Sequence, residues 1–232
     1  MSRYRWIMFD ADGTLYDFDA AETTALVRTL EQAGLPAGDG ACRHYREISL
    51  ELWRAFELGE IALERLKVER FERLLAELGA AVDPLRLSRA YISHLCGQAP
   101  LLPGAHALVQ ELASDHGLVL ATNGIAEVQR RRFEPSPIRP YFSHLVISEE
   151  IGAAKPQPAY FERAFALMGD PPREEVLMVG DSLTSDIAGG IAFGVDTVWF
   201  NPGRLPLDGD PRPTWEIGRL EEVRGILREL RE

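Results

Sequence analysis

The chain has 232 residues, with 46% hydrophobic and 26% charged side chains and a net charge of −11. That length and balance suit one sizeable soluble domain, or a core carrying a smaller insert, and exclude a disordered, collagenous or coiled-coil chain. The acidic balance also argues against a surface that coats nucleic acid, which needs a basic stripe to release counterions from phosphates.

Taken in chain order, the first element is the short apolar run Tyr4 to Phe9, which ends at Asp10 and reads as a buried strand. It is too short for a signal sequence, and no apolar run approaches the roughly 20 residues a membrane span requires. From about Asp19 to Gln98 the pattern is helical, and roughly four helices fit between breaks at Gly34-Leu35-Pro36, Gly59 and Gly79 to Pro84. In Ile61 to Leu78 one face carries Leu63, Leu66, Phe71, Leu74, Leu75 and Leu78. Glu64, Arg65, Glu69, Arg70, Glu72 and Arg73 are expected outside it, and Lys67 on a wet face.

After Leu102-Pro103-Gly104, strands are expected at Gly117 to Thr122, His144 to Ser148, Val176 to Gly180 and Asp196 to Phe200. Helices are expected at Ile125 to Phe133, Pro158 to Met168, Thr184 to Phe193 and Leu220 to Leu230. The proline-rich stretches 135–140 and 202–213 read as ordered surface loops. Such alternation indicates an α/β fold, a Rossmann-like, doubly wound parallel sheet with a small all-helical insert after its first strand. The expected domains are residues 1–17 and 99–232 for the α/β core and 18–98 for the helical cap. Ligands on such sheets bind at the carboxyl ends of the strands.

Four polar clusters fall at those ends: Asp10-Ala11-Asp12-Gly13-Thr14-Leu15, Thr122-Asn123-Gly124, Lys155-Pro156, and Gly180-Asp181-Ser182 with Ser185-Asp186. Asp10, at the end of an apolar strand, is hard to explain without a partner, because burying a lone carboxylate costs several kcal/mol, roughly. Taken alone, Thr122-Asn123-Gly124 fits a strand end and helix cap equally well, and Asp186 fits an ordinary helix-surface acid. Of 25 basic residues only Lys67 and Lys155 are lysine, so Lys155 is unusual in a chain that otherwise uses arginine.

In this order the four clusters resemble the motifs of the haloacid dehalogenase-like hydrolase superfamily, and the resemblance covers essentially the full chain. It implies that Asp10 is an in-line nucleophile on phosphorus and that Asp12 is the general acid and base. Mg2+ is the implied cofactor, held by Asp10, the backbone carbonyl of Asp12, and Asp181. Four acids converging on one sheet edge call for a hard divalent ion with oxygen ligands. Thr122, Asn123 and Gly124 are the implied holders of the phosphoryl oxygens, with Lys155 neutralising phosphate and nucleophile together. Asp186 is expected to orient Lys155 or a metal-bound water. The helical insert resembles the small cap that closes over the phosphate pocket in that superfamily.

Retention of the acid at Asp12 favours phosphate-ester hydrolysis over dehalogenation. The stretches Phe9 to Asp19, Thr122 to Ile125 with Val128-Gln129, and Val146 to Gly152 resemble the bacterial pyrimidine 5′-nucleotidase branch. That resemblance implies a small phosphorylated substrate, a nucleotide; charge, apolar run lengths and cysteine usage lead to the expectation of no nucleic-acid polymer or membrane as partner and a cytoplasmic location, as a monomer or homodimer. A phosphatase for small sugar or glycolate-type phosphates, a phosphomutase, and a non-catalytic binding protein are the alternatives. Arg130-Arg131-Arg132 reads as a solvated helix face, the five histidines as surface or packing residues, and Trp53 with Phe56 as cap core or a base contact. Cys42 and Cys96 read as free thiols.

Overall fold

The apolar run before Asp10 forms the middle of a parallel sheet in the computed structural model, which describes residues 3–207 and 209–229. The chain divides into two compact units, Met1–Asp17 with Pro100–Glu232, and Phe18–Ala99. Among the described residues no helix is long and apolar enough to cross a membrane.

The first unit holds strands β1 (Trp6–Phe9), β2 (Gly117–Thr122), β3 (His144–Ile147), β4 (Val176–Gly180), β5 (Asp196–Phe200) and β6 (Trp215–Ile217). Their order is β3-β2-β1-β4-β5-β6, and every neighbouring pair is parallel. The chain winds outward from β1 to β3, crosses back to β4, and winds outward again, which makes β1 and β4 the point where winding reverses. In register, Phe9 faces Leu120 on one side and Val179 on the other. Asp10 therefore emerges beside the ends of β2 and β4, and its N–H donates to the Val179 carbonyl at 2.9 Å. β1 and β4 are apolar almost throughout because a doubly covered sheet buries both faces of its strands. Met8, Val119, Val146 and Met178 meet Tyr160, Phe161 and Phe165 from one covering helix in a common core.

The helical unit holds α1 (Phe18–Gln32), α2 (Asp39–Glu57), α3 (Leu63–Leu78) and α4 (Pro84–Leu95). The α4 start follows from sequence: Asp83 accepts the Leu85 N–H at 2.9 Å, and Pro84 takes the first helical position, where no N–H is required. Tyr45, Phe71 and Tyr91 pack with ring centroids 5.3–5.5 Å apart. Two charged residues of α3 depart from the expected exposed face. Arg70 is 1% exposed, its guanidinium 4.7 Å from the Tyr91 ring centroid and 5.5 Å from that of Phe71. The rings stabilise the desolvated cation, which helical periodicity alone cannot anticipate. Lys67 is half-buried and pairs with Glu64 at 2.6 Å. Trp53 and Phe56 are half-buried, edge to face, and the aromatic core lies with the Tyr45 group instead.

The α/β unit continues with α5 (Ala105–Leu112), α6 (Ala126–Phe133), α7 (Ser148–Ile151), α8 (Pro158–Met168), α9 (Ala188–Phe193) and α10 (Val223–Glu229). Periodicity did not predict α5, α7 or β6, which are short elements set by tertiary packing. The helix expected from Thr184 begins instead as a widened π turn over Leu183–Ile187 before α9. The last helix follows a 3-10 turn at Leu220–Glu222, and Leu230, its expected end, lies outside the described residues. Within 135–140, expected to be a surface loop, Ser136 and Ile138 are buried; of the loop expected over 202–213, position 208 lies outside the described residues. His116 is buried and its Nδ1 lies 2.7 Å from the Tyr4 carbonyl oxygen, a packing role.

Candidate active site

The ends of β1, β2 and β4 and the loop before α8 bring Asp10, Lys155, Asp181 and Asp186 together. Lys155, 1% exposed, donates through Nζ to Asp10 Oδ1 at 2.6 Å, to Asp186 Oδ1 at 2.7 Å and to the Ala121 carbonyl at 2.7 Å. One ammonium thus uses its three protons on three acceptors. Asp186 is 0% exposed, which removes the reading of it as a helix-surface acid, and its Oδ2 accepts the Ser182 N–H at 3.1 Å. Asp181 accepts the Thr14 hydroxyl at 3.3 Å.

Carboxylate oxygens of Asp10, Asp181 and Asp186 lie within 4.8 Å of one another. Burial pushes the Asp10 carboxyl well above the ordinary carboxylate range; Lys155 opposes the shift while Asp186 and Asp181 add to it. Burial and then Asp186 push Asp181 up to about 7. Burial alone would favour a neutral amine at Lys155, but Asp10 and Asp186 outweigh it and raise its pKa. Three convergent carboxylates thus face one buried ammonium, which bonds two of them, and the deficit of positive charge fits a divalent cation. An all-oxygen donor set suits a hard ion such as magnesium.

Glycine makes the approach of these acids possible. Gly13 has φ +83°, and a Cβ there would stand 2.4 Å from Asp181 Oδ2. At Gly180 a Cβ would stand 2.2 Å from Asp186 Oδ2.

The second cluster divides its tasks. Thr122 is buried, and its hydroxyl accepts the Gly124 N–H at 3.0 Å. Asn123 spends its side chain on the Lys155 backbone, Nδ2 donating to the carbonyl and Oδ1 accepting the N–H, both at 2.8 Å.

Asp12 stands apart from the three convergent carboxylates. Its Oδ2 accepts from Gln129 Nε2 at 2.7 Å and its Oδ1 from Arg132 Nη2 at 2.5 Å. Arg132 is 1% exposed, so the expectation of a solvated face holds only for Arg130, paired with Glu150, and Arg131, which reaches Glu127. The reason is rotational: Gln129 and Arg132 are three residues apart and share the buried face of α6 with Val128 and Phe133. That spacing was visible in the sequence; the partner, Asp12, 120 residues from Arg132, was not.

A family model described as haloacid dehalogenase-like hydrolase matches residues 4–194. The HAD-hydrolase YfnB of Bacillus subtilis is 37% identical over 98% of this chain and 97% of its own. The pyrimidine 5′-nucleotidase PynA of Streptococcus pneumoniae is 37% identical over 97% of this chain and 95% of its own. The pyrimidine 5′-nucleotidase YjjG of Escherichia coli is 35% identical over 97% and 98%. A crystal structure of YfnB bound to magnesium superposes with a TM-score of 0.92, covering 97% of this chain and 99% of that one. The chain therefore belongs to the haloacid dehalogenase-like hydrolases.

Proposed function

We propose that the protein is a magnesium-dependent phosphatase that hydrolyses nucleoside 5′-monophosphates, pyrimidine or non-standard, through a phosphoaspartyl intermediate on Asp10. The observation that carries this reading is the Asp10 carboxylate: buried at the end of β1, bonded by Lys155, with Asp181 and Asp186 converging on it. The choice of a nucleotide rests on full-length similarity to relatives named pyrimidine 5′-nucleotidases.

A divalent cation held by Asp10, Asp181 and the Asp12 carbonyl would offset the repulsion between the nucleophile and the substrate phosphate. An Asp10 carboxylate oxygen attacks phosphorus in line, forming a P–O bond as the bond to the nucleoside 5′ oxygen breaks. Asp12 gives a proton to that departing oxygen. Water then attacks the phosphoaspartate, Asp12 takes the water's proton, and phosphate leaves with the Asp10 carboxylate restored. Lys155 holds one oxygen of Asp10 throughout, and Asp186 holds Lys155. Thr122, Gly124 and the backbone at Asn123 bind phosphoryl oxygens, and the helical unit, residues 18–99, selects the leaving group. Cys42 and Cys96 form no disulfide among the described residues, which fits work in a reducing cytoplasm.

The test is phosphate release from a panel of nucleoside monophosphates and sugar phosphates, with magnesium or with chelator, for wild type and Asp10→Asn. Magnesium-dependent release that is strongest on pyrimidine monophosphates and abolished by Asp10→Asn is the expected result. Activity that survives Asp10→Asn or chelation would overturn the mechanism; a preference for sugar phosphates would overturn only the substrate.

A further inference from the structure

Arg132 is a buried cation on the inner face of α6, where an apolar side chain would serve packing at less cost. Its guanidinium lies 5.0 Å from the Tyr16 ring centroid, and its Nε and Nη1 have no hydrogen-bond partner among the described residues. Among those residues it pairs with one carboxylate, Asp12. Gln129 closes a ring: its Oε1 accepts from Arg132 Nη2 at 2.9 Å while its Nε2 donates to Asp12. The amide orientation is determined by this ring, since the reverse would set NH2 against guanidinium. Both oxygens of Asp12 are thus held from one helix face.

Gly124 completes the arrangement. A Cβ at that position would stand 2.0 Å from Gln129 Nε2, so the glycine after Asn123 leaves room for the Gln129 amide.

We infer that Gln129 and Arg132 are positioning residues that set the side-chain orientation of Asp12 for proton transfer, with Gly124 supplying the space they need. This deepens the proposed function and rests on its reading of Asp12 as general acid and base. Among the described residues neither side chain has a hydrogen bond or ion pair to the convergent carboxylates, so their polar link to the site is Asp12. A misplacement of about 1 Å in a reacting group can cost roughly a hundredfold in rate.

The test uses the full chain and compares single-turnover cleavage of a nucleoside 5′-monophosphate with that of p-nitrophenyl phosphate, whose nitrophenolate departs without a proton. Gln129→Met removes the donor at nearly constant volume, and Gln129→Asn keeps an amide too short to reach Asp12; either serves if the other does not fold. Cleavage of the nucleotide should slow about tenfold or more, with KM within about twofold and nitrophenyl phosphate within about threefold. Arg132→Lys, which keeps the charge and one donor, should lie between wild type and Gln129→Met. In an Asp12→Asn background, Gln129→Met should cost less than about twofold, because residues acting through one another are not additive. Equal losses in the two backgrounds, or on the two substrates, would overturn the inference while leaving Asp12 its role. Full nucleotide cleavage by Asp12→Asn itself would overturn the acid–base reading instead.

Discussion

Asn123 and Lys155 form a reciprocal pair, each polar atom of the Asn123 amide bonded at 2.8 Å to the Lys155 backbone, 32 residues away in sequence. The end of β2 thereby fixes the loop from which Lys155 reaches Asp10. Asn123 is thus linked to Asp10 at one remove, through the placement of an ammonium with three acceptors.

Asn123→Leu, close in size but unable to bond, should lower stability by about 1–3 kcal/mol, since two backbone groups of Lys155 lose their partners. Turnover should fall roughly ten- to a hundredfold as Lys155 loosens. Denaturant unfolding and steady-state kinetics check the two effects, and unchanged turnover in a folded variant would count against the coupling.

Gly13→Ala meets two obstacles at once: φ +83° and a Cβ 2.4 Å from Asp181 Oδ2. The variant should fold but hold Asp181 away from Asp10. The magnesium concentration for half-maximal activity should rise by about tenfold or more, the loss that disturbing a metal site's surroundings typically brings. Titration of activity with magnesium reads the shift directly.

Magnesium should also stabilise the folded chain, because three convergent carboxylates, Asp10 and Asp186 among them buried, face one ammonium. At a hundredfold excess over Kd, binding adds about 2.7 kcal/mol, which for a domain of this size raises Tm by several degrees, roughly. Asp181→Asn should reduce that rise, and a magnesium-independent Tm in wild type would contradict the cation site.

Glu22, on α1, is buried, and desolvation pushes its carboxyl from 4.5 up to about 7 against the pull of Arg70 and Arg46. Between these values the folded chain holds a proton that the unfolded chain releases. The contribution is therefore fully present below about pH 4.5 and is lost as pH rises through about 7. Relative to Glu22→Gln, wild type should lose about 1–3 kcal/mol of stability between pH 5 and pH 8. Denaturant melts at four pH values check this, and parallel pH dependences would remove Glu22 as the cause.

Much of the architecture was legible before folding. β2, β4, β5 and α8 match the expected ranges because unbroken apolar runs bounded by glycine, proline or aspartate are local signals. The expectation of a doubly wound parallel sheet followed from their alternation with helices. Two short elements were not legible: α7 has four residues and β6 three, too few for a period to appear.

The order of strands and helices and the polar clusters at the strand ends are written in local pattern, since backbone propensity and hydrophobic period act over a few residues. Which acids converge is settled by packing across the chain. Asp10, Asp181 and Asp186 meet around Lys155, while Asp12, two residues from Asp10, turns instead to Gln129 and Arg132. Packing also decides that Arg70 and Arg132 lie inside. A charged residue on a helix looks solvated until the rings or the carboxylate that offset its desolvation come from elsewhere in the chain, and those partners are brought near only by the packed fold.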